Sequence, residues 1–186
     1  CSYRAFRIYL NRFTIFTKNL SRFAMVTEKE IWQYMEEVAD PEIPVISVID
    51  LGVVRKIELI DQESVNVTIT PTYSGCPAMS AISISVRLKL IEKGFKNINV
   101  INQLSPSWST DWMTEEGKQK MKAYGIAPPT KNPSSDELFS DEQNVECPQC
   151  GSTDTRLISQ FGSTACKAMY QCNSCHEPFD YFKCHH

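Results

Sequence analysis

Four cysteines near the C-terminal end fall into two Cys-x-x-Cys pairs, Cys147-Pro148-Gln149-Cys150-Gly151 and Cys172-Asn173-Ser174-Cys175, separated by 21 residues. Zinc takes four soft ligands in a tetrahedron, and two such knuckles on facing hairpins supply them without strain. The glycine after Cys150 lets backbone amides turn toward the thiolates. The pattern predicts a structural Cys₄ site at Cys147, Cys150, Cys172 and Cys175, with zinc ahead of iron. Arg156, Leu157, Ile158 and Phe161, a Gly162-Ser163 turn, and then Ala168, Met169 and Tyr170 lie between the knuckles and read as two short strands and a hairpin. About forty residues cannot fold on apolar burial alone, so the metal supplies much of the folding energy.

Cys76 sits between Gly75 and Pro77 at the start of a helix. Unsatisfied amides and the helix dipole stabilise a thiolate there, so a reactive or metal-binding thiol would be placed at such a point; an inert cysteine is the alternative. No histidine precedes His176, which argues against ordinary Cys–His nucleophilic catalysis in this part of the chain. Cys166 and Cys184 read as buried small hydrophobes. The alternative is a second metal site shared with His185 or His176. Eight cysteines, two such pairs among them and no signal peptide suit reduced thiols and a cytoplasmic location better than a disulfide framework.

The elements that must position these thiols can be read from pattern and punctuation. Thr27 and Glu30 form a capping box, Ile31, Met35 and Val38 recur at helical spacing, and Asp40-Pro41 stops a helix predicted to run to about Ala39. Asp40-Pro41-Glu42-Ile43-Pro44 follows as a rigid acidic loop. Val53, Ile57 and Leu59, a turn at Asp61-Gln62-Glu63, and Val65, Val67 and Ile69 make a hairpin. An apolar run from Ala78 to Ile91 is a second helix bounded by Pro77 and Gly94. A third strand at Ile98–Leu104 and a short helix opened by Thr114 and closed by Gly125 complete an α+β domain, a small sheet with helices on one face, followed by the small β ribbon. The expected divisions are a basic N-terminal extension at 1–24, the α+β domain at 25–125, a Pro-, Ser- and acid-rich linker at 126–145 and the ribbon at 146–186.

The net charge of −3 is unevenly distributed. Residues 1–24 carry Arg4, Arg7, Arg12, Lys18 and Arg22 and no acidic side chain, leaving 14 basic against 22 acidic side chains elsewhere. An acidic body disfavours phosphate-backbone binding, and no nucleic-acid partner is expected. The basic segment reads either as a targeting peptide or, since Met25 directly precedes a complete helix start, as a start assigned too far upstream; the second is preferred. Nothing approaches the roughly 18 consecutive apolar residues of a membrane span.

Asp40-Pro41-Glu42-Ile43-Pro44, Val48-Ile49-Asp50-Leu51-Gly52-Val53-Val54 and Ser74-Gly75-Cys76-Pro77-Ala78 resemble the MIP18 (DUF59) family of iron–sulfur assembly proteins. With Ser159–Ala168 and Glu177–His185 added, residues 25–185 resemble the accessory D components of bacterial phenylacetyl-CoA 1,2-epoxidase systems. The resemblance implies a protein that is not itself the epoxidase. It implies an assembly or repair factor for a diiron or iron–sulfur centre in aerobic phenylacetate degradation, with the oxygenase and reductase subunits as partners. It further implies Cys76, Asp40 and Glu42 as the residues that deliver metal or cluster, and iron or an iron–sulfur cluster as transient cargo beside structural zinc. The sequence leaves open whether the chain forms a homodimer that shares such a cargo. A non-catalytic structural or regulatory subunit stably bound to the oxygenase is the alternative.

Overall fold

A computed structural model of the chain describes residues 25–129 and 145–183. The expectations for residues 1–24, most of the linker, Cys184 and His185 lie outside these residues. Helix α1 spans Glu28–Glu36. Its capping box is formed: Thr27 Oγ1 accepts from the Glu30 N–H at 3.3 Å, and the Glu30 carboxylate accepts from the Thr27 N–H at 2.8 Å. The helix stops short of Ala39 because the following loop claims its last residues. Ala39 bridges to Ser47, and the Val48 N–H donates to the Val38 carbonyl at 2.9 Å.

Strands β1 (Val54–Asp61) and β2 (Ser64–Ile69) form the expected hairpin. Helix α2 (Ala78–Glu92) then crosses over, and β3 (Asn97–Asn102) pairs parallel with β2, giving the order β1-β2-β3. Val65, Val67 and Ile69 of β2 and Ile82, Val86 and Leu90 of α2 face inward onto Ile31 and Met35 of α1. The four-residue spacing along α2 is one helical face. A one-turn 3₁₀ helix (Thr110–Trp112) precedes α3 (Glu115–Tyr124), which is capped by the Thr114 hydroxyl and ended by Gly125 in the left-handed conformation. Gly52 is required where the segment before β1 meets that turn. Its φ is +71°, and a Cβ there would lie 2.3 Å from the Trp112 carbonyl oxygen.

The C-terminal module has more sheet than its hairpin pattern suggests. Strands β5 (Thr155–Ser159), β6 (Lys167–Cys172) and β7 (Pro178–Phe182) are antiparallel neighbours. Ile126–Ala127, assigned by composition to the linker, form β4 and pair parallel with β7, so the order is β4-β7-β6-β5. The first domain thereby contributes a strand to the ribbon. The ribbon reciprocates, since Phe182 and Cys166 are buried in the same apolar cluster as α1, α2 and β2. Phe182 meets Trp108 edge-on at 6.0 Å between ring centroids, and the Trp108 indole N–H donates to the Leu51 carbonyl at 2.9 Å. A separate cluster, with Tyr170, Phe179 and Tyr181 around Cys147 and Cys172, forms the ribbon's own interior. No described helix is long and apolar enough to cross a membrane.

Candidate functional site

The ribbon knuckles are built from matching turns. Cys147 and Cys150 lie on the turn before β5, Cys172 ends β6, and Cys175 lies on the turn into β7. In the first knuckle the Gly151 N–H donates to the Cys147 carbonyl at 2.9 Å; in the second the His176 N–H donates to the Cys172 carbonyl at 3.0 Å. Gly151 (φ +75°) and His176 (φ 66°) therefore occupy the same left-handed position after the second cysteine of each pair. Histidine there costs about 1–2 kcal/mol of local strain, a cost that knuckle geometry must offset.

These turns gather the four sulfurs within 4.8 Å of one another. Cys147 and Cys175 are 3.7 Å apart, Cys150 and Cys172 3.5 Å. A tetrahedral ion with metal–sulfur bonds of about 2.3 Å needs sulfurs roughly 3.8 Å apart, so the thiols can accept such an ion with almost no movement. Cys172 is pulled down to about 6, first by the Cys175 N–H directed at its sulfur. His176 is exposed on this knuckle and joins no metal-binding group among the described residues.

A second constellation surrounds Cys76, where a small cavity is lined by Asp40, Glu42, Cys76, Cys166 and Phe182. The acidic loop holds two of these. The Asp40 carboxylate accepts from the Glu42 and Ile43 N–H groups at 2.9 and 2.8 Å, fixing the turn on which Glu42 projects. Burial pushes the Asp40 carboxyl above its ordinary value despite those two donors.

The thiol of Cys76 departs from expectation. Helix-start amides do act on it, since the Ala78 and Met79 N–H groups and the Tyr73 hydroxyl favour its thiolate. Burial outweighs them, and with the charge of Glu42 it raises the thiol's pKa rather than lowering it. Cys76 is thus a protonated thiol at neutral pH, unsuited to act as an activated nucleophile. A cation that displaces the proton would reverse the balance.

Cys166 is buried, in keeping with a small hydrophobe. It is also polar in its contacts, with its sulfur 3.4 Å from a Glu42 carboxylate oxygen and 3.1 Å from the Thr164 hydroxyl. Burial pushes this thiol up to about 12, and the neighbouring charges of Glu42 and Cys76 add to the effect. Sequence spacing carries no sign of this contact, because 124 residues separate Glu42 from Cys166. The one available signal is the matching stretch Ser159–Ala168.

An α+β domain with an acidic loop and a helix-start cysteine, continued by a four-thiol ribbon, defines an iron–sulfur-assembly-type domain with a C-terminal zinc ribbon. The family models agree: residues 28–94 match the iron–sulfur cluster assembly protein model, and residues 131–183 match the PaaD zinc beta ribbon domain. The chain is 44% identical over 167 residues, 90% of its own length and 99% of the relative's, to an Escherichia coli K12 protein whose name, "Putative 1,2-phenylacetyl-CoA epoxidase", is qualified as the D component of that enzyme. It belongs to this family, the D components of phenylacetyl-CoA epoxidase. An "Fe-S protein maturation auxiliary factor" of Porphyromonas gingivalis is 38% identical over 91 residues, 48% of this chain and 86% of that protein. Among solved structures, a DUF59 domain from Bacillus anthracis is 26% identical with a TM-score of 0.47, covering 50% of this chain and 90% of that one.

Proposed function

We propose that the chain is a non-catalytic accessory factor of a phenylacetyl-CoA 1,2-epoxidase that assists assembly or repair of the enzyme's diiron or iron–sulfur centre. Cys76 receives the metal cargo, Glu42 supplies a nearby carboxylate, and Asp40 positions Glu42 by holding its loop. Cys147, Cys150, Cys172 and Cys175 hold zinc, which ties the knuckles together and keeps β6 and β7 in place. The observation that carries this reading is the joining of two features in one chain. An assembly-type domain has a protonated thiol and a carboxylate on one small cavity, and the relative covering almost all of the chain bears the name of an epoxidase component.

The physical logic is one of proton-for-cation exchange. A buried neutral thiol costs little to maintain, whereas a thiolate in the same place needs a positive charge beside it. Such a site binds a cation when one is offered and returns to the neutral state when it leaves.

The test is Cys76→Ser in a cell that must grow on phenylacetate. Cys76 is half-buried and the change replaces one atom, so the fold and the ribbon zinc should persist. Growth should fail, and the purified oxygenase or its reductase should be deficient in iron. Normal growth with fully metallated partners would remove the delivery role. It would favour a stably bound structural component, to be recognised by stoichiometric co-purification with the oxygenase.

A further inference from the structure

We propose that the ribbon supplies a ligand to the Cys76 site: Cys76 and Cys166, with the Glu42 carboxylate, form an interdomain site for one divalent ion of the Fe(II), Co(II) or Zn(II) class. This rests on the reading of Cys76 as a metal-receiving thiol and extends it to a residue of the other domain.

Three elements distant in sequence converge on one cavity: the loop after α1 (Glu42), the turn before α2 (Cys76) and the residue leading into β6 (Cys166). The Cys166 sulfur already contacts Glu42 at 3.4 Å. Its backbone is fixed as well, since the Cys166 carbonyl accepts from the Lys183 N–H at 2.9 Å, next to Phe182. Cys166 is therefore held on the cavity that Cys76 lines by the same β6–β7 pair that inserts Phe182 into the first domain.

Donor chemistry limits the occupant. Two thiolates and one carboxylate favour a borderline transition-metal ion over magnesium or calcium, which take oxygen ligands. Size limits it further: the cavity is about 20 Å³, near the roughly 10–15 Å³ that admits one water. A single ion fits, and an iron–sulfur cluster does not. Three protein ligands leave a fourth position open, the arrangement that permits exchange with an incoming ligand. The ribbon sulfurs already lie within 4.8 Å of one another, whereas an ion here requires the Glu42, Cys76 and Cys166 side chains to draw together around the cavity they line.

The experiment uses the full-length, zinc-loaded protein under anaerobic reducing conditions, titrated with Co(II) and then competed with Fe(II). One equivalent beyond the ribbon zinc should bind, with sulfur-to-cobalt charge-transfer absorption in the near ultraviolet. Cys166→Ala should keep its zinc and weaken cobalt binding by about tenfold or more, with roughly half the charge-transfer intensity for loss of one of two thiolates. Glu42→Gln, on a side chain outside the core, should weaken binding while leaving that intensity unchanged, so the site remains testable if Cys166→Ala folds poorly. Binding by both variants with wild-type affinity, or no second equivalent at all, would overturn the site. If Cys76→Ser abolishes cobalt binding while Cys166→Ala and Glu42→Gln do not, the interdomain site is wrong and the delivery role of Cys76 survives.

Discussion

Phe182 offers a direct test of whether ribbon and first domain share one core. Its ring is 2% exposed, belongs to the cluster of α1, α2 and β2, and abuts Trp108. Phe182→Ala deletes a fully buried ring at a site that cannot readily collapse, because Trp108 is fixed by its hydrogen bond to Leu51. Such deletions cost about 3–5 kcal/mol. With a urea m-value of about 2 kcal/mol/M, that moves the unfolding midpoint down by roughly 1.5–2.5 M. The assay is selective, since the three tryptophans, Trp32, Trp108 and Trp112, all precede the ribbon. Their fluorescence reports the first domain while the mutation lies in the second. Ribbon zinc, measured in parallel, should remain at one equivalent. A tryptophan midpoint moved by less than about 0.3 M, equivalent to roughly 0.6 kcal/mol, would show that the domains are independently stable and refute the shared core.

Two further outcomes follow from the geometry. Cys147→Ser removes one of four gathered sulfurs, so zinc should be lost and amides of β5 and β6 should lose hydrogen-exchange protection; retention of a full equivalent of zinc would rule out the ligand set. Asp50 is opposed by burial, but its carboxylate accepts from the Ser47 N–H, the Lys120 ammonium and the Thr114 hydroxyl, and its pKa falls below the ordinary value. A lowered carboxyl stabilises the fold above its unfolded pKa of about 3.9 and loses that contribution as pH falls through the folded value. Asp50→Asn should therefore cost about 2 kcal/mol at pH 7, with the gap to wild type closing below about pH 4. A gap that stays constant between pH 7 and pH 3 in paired urea titrations would contradict this.

What the sequence disclosed was local. The capping box at Thr27 and Glu30, the β1–β2 hairpin and α3 between Thr114 and Gly125 are each specified by residues within a few positions of one another, and all appear as read. Two CxxC spacings likewise sufficed to bring four sulfurs together. What escaped was non-local. β4 is two residues long and sits against Pro128-Pro129, too short to show any period, and its partner β7 lies more than fifty residues away. Cys76 shows the same limit in its electrostatics. Its helix-start amides are visible in the sequence, but the desolvation that overrides them comes from packing that includes the ribbon. The acidic loop could be recognised, but not that it would meet Cys166.

The β6–β7 cover over Cys76 also sets an order in time. The first domain's own elements are complete at Ala127, yet its cavity lacks a wall until Phe182 arrives. Residues 128–182 are 55 positions, so at usual elongation rates a nascent chain spends roughly 3–11 s with the first domain complete and Cys76 uncovered. During that interval the thiol lacks the ribbon's share of the burial that raises its pKa, so it stands nearer the ordinary value of an exposed cysteine. Docking of the last strand therefore closes that interval, and how long Cys76 stands uncovered is set by the pace of synthesis rather than by the finished fold.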